Sequence, residues 1–256
     1  MLLVSVRSAE EAQIALAAKV DWVDLKDPDA GPLGAPTMNV AREVAHVLNG
    51  MDRRSVALGE LRDLDFANGR ALAELFPTLK VGLSKCASGT FPWQERLRLL
   101  AQSVAGQAHV VPVLYADYQA CDAPPPVAVL DYLRGSRSQF LLVDTFLKDG
   151  HTLLDHFNLD ELAAIQHDAA ILGATTVFAG SLNLENLAHL QSIRPKVIAV
   201  RGAVCAGDRR GAIKSEKILQ LRRSISLIGS SAASLRSEGV DQLATEWQPQ
   251  RGVPSQ

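Results

Sequence analysis

Short apolar runs of four or five residues recur from one end of this chain to the other, and each is followed by a longer amphipathic stretch. Strand-length runs alternating with helix-period stretches are the pattern of βα units that assemble a parallel sheet. The runs read as strands are Leu2–Ser5, Trp22–Leu25, Ser55–Leu58, Leu79–Gly82, Val110–Leu114, Phe140–Val143, Thr176–Ala179 and Val197–Val200. Helical patterns fall at Ala9–Ala18, Met38–Leu48, Gln94–Ala105, Val127–Leu133, Leu159–Leu172, Leu184–Leu190 and Ile213–Arg222. Eight units in 256 residues fit one closed (β/α)8 TIM barrel, with an open doubly wound sheet as the alternative. The barrel is expected over residues 1–235. Residues 236–256 form a polar C-terminal extension without periodicity, expected to be loosely ordered. No Pro/Gly/Ser-rich linker divides the chain, and Ala123-Pro124-Pro125-Pro126 reads as a stiff lead into a helix.

A barrel of this kind collects its chemistry at the C-terminal ends of the strands and on the loops that follow them. The polar residues that interrupt the apolar runs fall there. Strand two ends with Asp24 and Lys26, strand four carries Lys80, strand six ends with Asp144 and strand eight with Arg201. Side chains alternate along a strand, so Asp24 and Lys26 share one face while Val23 and Leu25 take the other. Alternate strands fill the same interior layers, which brings the inward residues of the even-numbered strands together. Lys148, four residues after Asp144, is within reach of the same mouth. Each lysine taken alone reads equally as a solvated strand-end charge. Taken together, Lys26, Lys80, Lys148 and Arg201 set four cations against Asp24 and Asp144, a local surplus suited to an anionic substrate such as a phosphate ester. A buried amine near other cations also loses its proton readily and, once neutral, attacks carbonyls.

The loops after strands seven and eight read Ala179-Gly180-Ser181-Leu182-Asn183 and Arg201-Gly202-Ala203-Val204. Barrels often hold phosphate there on backbone N–H groups, which glycine leaves accessible. Gly180, Ser181, Arg201 and Gly202 are therefore the expected phosphate contacts, the competing reading being plain tight turns with Ser181 as a helix cap. Asp117 ends strand five as either a cap or a site acid. His151, Asp155 and His156 lie past the Asp149-Gly150 turn and are read as surface or capping residues rather than a metal cluster. No metal and no cofactor is expected, since neither a Gly-x-Gly-x-x-Gly turn nor a Walker loop follows a strand.

The bulk properties narrow the partners. A net charge of −2 argues against a nucleic-acid or membrane-surface protein, leaving a small soluble molecule as the expected partner. No apolar run approaches the ~20 residues of a membrane span, and the start of the chain lacks a signal pattern, so a cytoplasmic location is expected. Cys86, Cys121 and Cys205 are odd in number and far apart, as reduced thiols are. The outer helices of a barrel look alike whether they face water or another subunit, which leaves a homo-oligomer open.

Five groups of segments stand out in order: Asp24-Leu25-Lys26-Asp27-Pro28 with Gly31-Pro32-Leu33-Gly34-Ala35, Lys80-Val81-Gly82-Leu83, Asp144-Thr145 with Lys148-Asp149-Gly150, Ala179-Gly180-Ser181, and Val200-Arg201-Gly202-Ala203. Together they resemble the (5-formylfuran-3-yl)methyl phosphate synthase family, which makes the furan precursor of methanofuran. The resemblance implies a (β/α)8 barrel that condenses two glyceraldehyde 3-phosphate molecules, a lyase of one-carbon metabolism. It also implies a Schiff base on Lys26, a proton-transfer base in Lys80, and further active-site roles for Asp24, Asp144 and Lys148. Two positions depart from the family pattern: Asp27 stands where Asn is expected, and Glu60 where Asp is expected. Another Schiff-base aldolase acting on triose phosphates, and a non-catalytic barrel that binds a phosphometabolite, are the alternative readings.

Overall fold

The computed structural model describes residues 1–225, so the expected polar extension over 236–256 lies outside the described residues. Eight parallel strands close into a barrel in chain order: β1 (Leu2–Val6), β2 (Trp22–Leu25), β3 (Arg54–Glu60), β4 (Thr78–Gly82), β5 (His109–Tyr115), β6 (Phe140–Asp144), β7 (Thr175–Phe178) and β8 (Val197–Val200). The pairing of β1 with β8 completes the ring and leaves no open edge. Around it run α1 (Ala9–Ala17), α2 (Met38–Val47), α3 (Phe66–Ala73), α4 (Trp93–Ser103), α5 (Pro126–Arg134), α6 (Leu153–His156), α7 (Leu159–Ile171) and α8 (Leu184–Leu190), and residues 215–225 are helical. This is the (β/α)8 barrel the alternation predicts.

Two helices escape the sequence pattern for local reasons. In α3, Asn68 and Gly69 break the apolar period, yet Gly69 is buried against α4, where a Cβ would sit 3.2 Å from the Leu100 side chain, a tight fit. Asp65 starts α3 by accepting the N–H of Ala67. The single turn of α6 is held by the Thr152–Asp155 capping box instead of by an apolar stripe. Asp155 is thereby a capping residue, and the exposed His151 ring contacts Asp149. Strand seven ends at Phe178, one residue before its expected end, although the Ala179 N–H still donates to the Val143 carbonyl.

The alternation along each strand divides the apolar side chains into two shells. Val4, Val23, Val56, Leu79 and Phe178 face outward and pack under the helices. Leu3, Trp22, Ala57, Val113, Leu142, Val177 and Ala199 fill the barrel interior. The Trp22 and Phe140 rings meet edge to face at 4.9 Å between centroids, at the N-terminal ends of β2 and β6, and floor the barrel. From that floor the inward positions of β2 run Trp22, Asp24 and then Lys26. The interior thus turns from apolar to ionic as it rises toward the mouth.

Candidate active site

Register alone puts Asp24 between two serines, with Ser5 of β1 on one side and Ser55 of β3 on the other. The Ser55 hydroxyl donates to Oδ1 at 2.7 Å and the Ser5 hydroxyl to Oδ2 at 2.9 Å. Lys80, two strands away on β4, brings its Nζ to 2.5 Å from Oδ2. Asp24 is fully buried, so these three donors replace the water its carboxylate gives up. The inward serines carry a signal in the sequence, since each is a small polar residue at an inward position of an apolar strand, but neither stood out from the pattern alone.

Lys26 lies one step closer to the mouth. Its backbone N–H donates to the Val6 carbonyl, extending the β1–β2 ladder, and the loop after it folds back so that the Asp27 N–H donates to the Gly34 carbonyl at 2.9 Å. A side chain at Gly34 would collide with the Asp27 carbonyl, which explains the glycine. This closure sets the Pro32 carbonyl 3.3 Å from the Lys26 Nζ. Lys26 is 8% exposed and, unlike Lys80 and Lys148, has no carboxylate within ion-pair distance among the described residues. Burial, reinforced by the charges of Lys80 and Lys148 against the opposing pull of Asp144 and Asp24, lowers its pKa from 10.5 to about 7.

Asp144 and Lys148 form the third part of the site. The Lys148 Nζ donates to Asp144 Oδ1 at 2.8 Å and to the Thr145 hydroxyl at 3.0 Å. Burial opposes ionisation of Asp144. The charges of Lys148 and Lys26, with hydrogen bonds from Lys148 and the Thr145 N–H, outweigh it and hold the carboxyl below its ordinary value. Asp117 accepts the N–H groups of Phe146 and Leu147, at 2.7 and 2.8 Å, and so braces the loop that carries Lys148. Of the two readings of Asp117, these bonds support the structural one.

Gly180 and Ser181 both have positive φ, at +93° and +51°, the second being strained for a residue with a side chain. A Cβ at Gly180 would come within 3.1 Å of Thr145 and 3.2 Å of Leu153, so the turn is pressed against the loop after β6. The backbone N–H groups of Ser181, Leu182, Gly202 and Ala203 have no hydrogen-bond partner among the described residues, and all four residues line the same cavity. Arg201, expected as a phosphate contact, lines the cavity and is also engaged within the protein. Its guanidinium donates to both Glu11 oxygens, at 2.9 and 3.4 Å, and to the carbonyls of Ser5, Arg209 and Gly211. Those five bonds use all five guanidinium N–H groups. The cause is long-range: Glu11 lies on α1, 190 residues away in sequence.

One cavity of about 380 Å³ opens at the C-terminal ends of the strands and is lined by Lys26, Lys80, Asp144 and Lys148, with the turns after β7 and β8 on its rim. Asp24 sits beneath it. Among the described residues, no group of three or more His, Cys, Asp or Glu side chains is placed to hold a metal ion, and no helix is long and apolar enough to cross a membrane. Cys86, Cys121 and Cys205 are buried and unpaired, matching the reduced thiols expected.

Fold and site together define a (β/α)8 barrel whose mouth gathers three lysines and Asp144 around one cavity, with Asp24 beneath it paired to Lys80. Residues 2–222 match the 4-HFC-P synthase family, and the chain belongs to that family. Relatives named (5-formylfuran-3-yl)methyl phosphate synthase include those of Methanosarcina barkeri, 31% identical over 86% of this chain and 97% of the relative, and Methanococcus maripaludis, 32% identical over 86% and 95%. That of Archaeoglobus fulgidus is 28% identical over 88% and 98%. The relatives are synthases, and the chain is accordingly an enzyme. Among solved structures, a phosphoribosyl anthranilate isomerase in complex with reduced 1-(o-carboxyphenylamino)-1-deoxyribulose 5-phosphate superposes with a TM-score of 0.61 at 15% identity, over 88% of this chain and 97% of that one. A 3-hexulose-6-phosphate synthase gives 0.55 at 16% identity, over 86% and 98%. At such identities the likeness establishes the barrel alone.

Proposed function

We propose that this enzyme is a (5-formylfuran-3-yl)methyl phosphate synthase that joins two glyceraldehyde 3-phosphate molecules through an imine on Lys26. The observation that carries the reading is the difference among the three cavity lysines: Lys80 and Lys148 are each ion-paired, while Lys26 is buried beside a backbone carbonyl with a pKa near 7. A large fraction of Lys26 is then neutral at physiological pH and able to attack a carbonyl.

The first glyceraldehyde 3-phosphate isomerises in the site to its ketone, the C2 proton being removed and a proton returned at C1. The Lys26 Nζ adds to the ketone carbon, water leaves, and the resulting iminium makes the adjacent C–H acidic. The Lys80–Asp24 pair lies on the same interior surface and takes that proton, the 2.5 Å contact letting it pass between amine and carboxylate. The enamine carbon attacks the aldehyde of a second triose phosphate. Asp144, held ionised, and the Lys148 ammonium beside it stabilise charge and exchange protons as phosphate is eliminated and the ring closes. Hydrolysis frees Lys26. For each furan formed, one phosphate and two waters are released, so atoms balance without an oxidant or reductant.

Incubation with glyceraldehyde 3-phosphate tests the reading. The expected result is an ultraviolet-absorbing phosphorylated furan aldehyde with one equivalent of inorganic phosphate. A linear sugar phosphate would make the protein an aldolase instead, and no turnover would leave a binding barrel.

A further inference from the structure

We propose that Arg209, in the loop after β8, is the guanidinium that holds a substrate phosphate at the mouth of the barrel, and that Arg201 serves to position it. The inference rests on the reading of the cavity as a phosphate-ester site and names the residue that recognises the anion.

The cations around the cavity sort by what they already hold. Lys148 is committed to Asp144, Lys80 to Asp24 and Arg201 to Glu11. Arg210, the neighbour of Arg209, points away and pairs with Asp29 at 3.2 Å. Arg209 lines the cavity and has no carboxylate within ion-pair distance among the described residues; its one hydrogen bond runs from Nη2 to the Gly31 carbonyl at 3.0 Å. That bond uses one of its five N–H donors and leaves a fork of the geometry that suits a phosphate. Arg209 is half-buried, and burial lowers its pKa, with the nearby charges of Arg201 and Arg210 adding to the effect against the opposing charge of Asp144. A cation held in this way without a counter-ion is stabilised by an arriving anion.

Its surroundings fit the same ligand. A Cβ at Gly202 would touch the Arg209 Cβ at 3.8 Å, which places the side chain against the turn where the Gly202 and Ala203 N–H groups are unpartnered. The Gly180–Ser181 turn, strained at Ser181, lines the same cavity. Replacing Arg201 by Arg209 in the charge balance keeps four cations against Asp24 and Asp144, with the exposed Asp208 at the rim. Arg201 fixes the Arg209 backbone by donating from Nε to its carbonyl at 2.7 Å. Through Gly31, Arg209 also grips the loop whose Pro32 carbonyl faces Lys26. Phosphate recognition is thereby tied mechanically to the loop that frames the nucleophile.

Glycerol 3-phosphate is the probe of choice, because it carries the phosphate ester but no carbonyl and binds without forming an imine. Calorimetric titration of the full chain is expected to show Arg209→Ala weakening its binding roughly ten- to a hundredfold, with the salt dependence reduced and the unfolding midpoint of the free protein close to wild type. Arg209→Lys, which keeps the charge and loses the fork, is expected to fall between the two. If Arg209→Ala does not fold, Arg209→Gln carries the same comparison. Wild-type affinity in the charge-removing variant overturns the proposal, as does a wild-type protein that fails to bind glycerol 3-phosphate. A chain that binds the probe through Arg209 yet makes no furan would overturn the proposed function and leave this site standing.

Discussion

The Nζ of Lys80 stands 2.5 Å from Oδ2 of Asp24, two strands away across the barrel interior. That pairing, capped by Ser5 and Ser55, commits Lys80 to a carboxylate and leaves Lys26, two residues beyond Asp24 on the same strand, as the amine without one. The two lysines of one pocket thus differ in that Lys80 has a counter-ion and Lys26 has none, the difference on which the proposed roles of nucleophile and proton-transfer group rest.

Asp24→Asn removes one partner of this buried pair while keeping its shape. Leaving a buried ammonium uncompensated costs about 3–5 kcal/mol, so the unfolding midpoint is expected to drop by several degrees. The catalytic rate is expected to fall by roughly 10²–10⁴-fold as proton transfer is lost. Thermal unfolding and steady-state rates measured together check this; unchanged stability would mean that the pair is not held in solution.

The pKa of about 7 on Lys26 gives a signed pH dependence. With Lys26 as the proposed nucleophile the active form is the neutral amine, so kcat/KM is expected to rise with pH through about 7 and level off above it. Stability follows the same group in reverse. Below pH 7 the amine is charged in both folded and unfolded states and its burial penalty is complete. As pH rises from 7 toward 10.5 the folded state gives up its proton first, and the penalty fades. Lys26→Met is therefore expected to be inactive and more stable than wild type by of order 2–4 kcal/mol below pH 7, an advantage that shrinks toward pH 10.5. Denaturant titrations at pH 6 and pH 9.5 measure it, and a destabilised variant would contradict the burial cost.

Arg201→Ala removes the buried guanidinium from Glu11, both side chains of the pair being at most 5% exposed, and leaves Glu11 only the Arg7 N–H at 2.9 Å and the more exposed Arg7 guanidinium at 3.8 Å. The expected loss is about 3–5 kcal/mol of stability, seen as a lowered unfolding midpoint even without ligand. A variant as stable as wild type but unable to bind glycerol 3-phosphate would restore Arg201 as the direct phosphate contact.

The fold was legible because strand and helix periods alternate cleanly, and the site because lysines and carboxylates interrupt apolar strands at inward positions. Asp24, Lys26, Lys80 and Asp144 follow from that argument and Lys148 from its reach back from the loop four residues past Asp144, and the five side chains come together. What stayed hidden depends on partners distant in sequence. Arg201 looks like a ligand for anions until Glu11 on α1 is seen to claim it. Arg209 lies in a loop without periodicity, beside an arginine that pairs elsewhere. The helix α3 was obscured by Gly69, which is buried against Leu100 of the next helix.

The most direct test of the central claim is borohydride reduction in the presence of triose phosphate, followed by peptide mapping. The account predicts a single reduced adduct on Lys26 that disappears in Lys26→Arg, whose guanidinium stays protonated and forms no imine. An adduct confined to Lys80 or Lys148, or turnover to the furan with no trapped lysine, would contradict it.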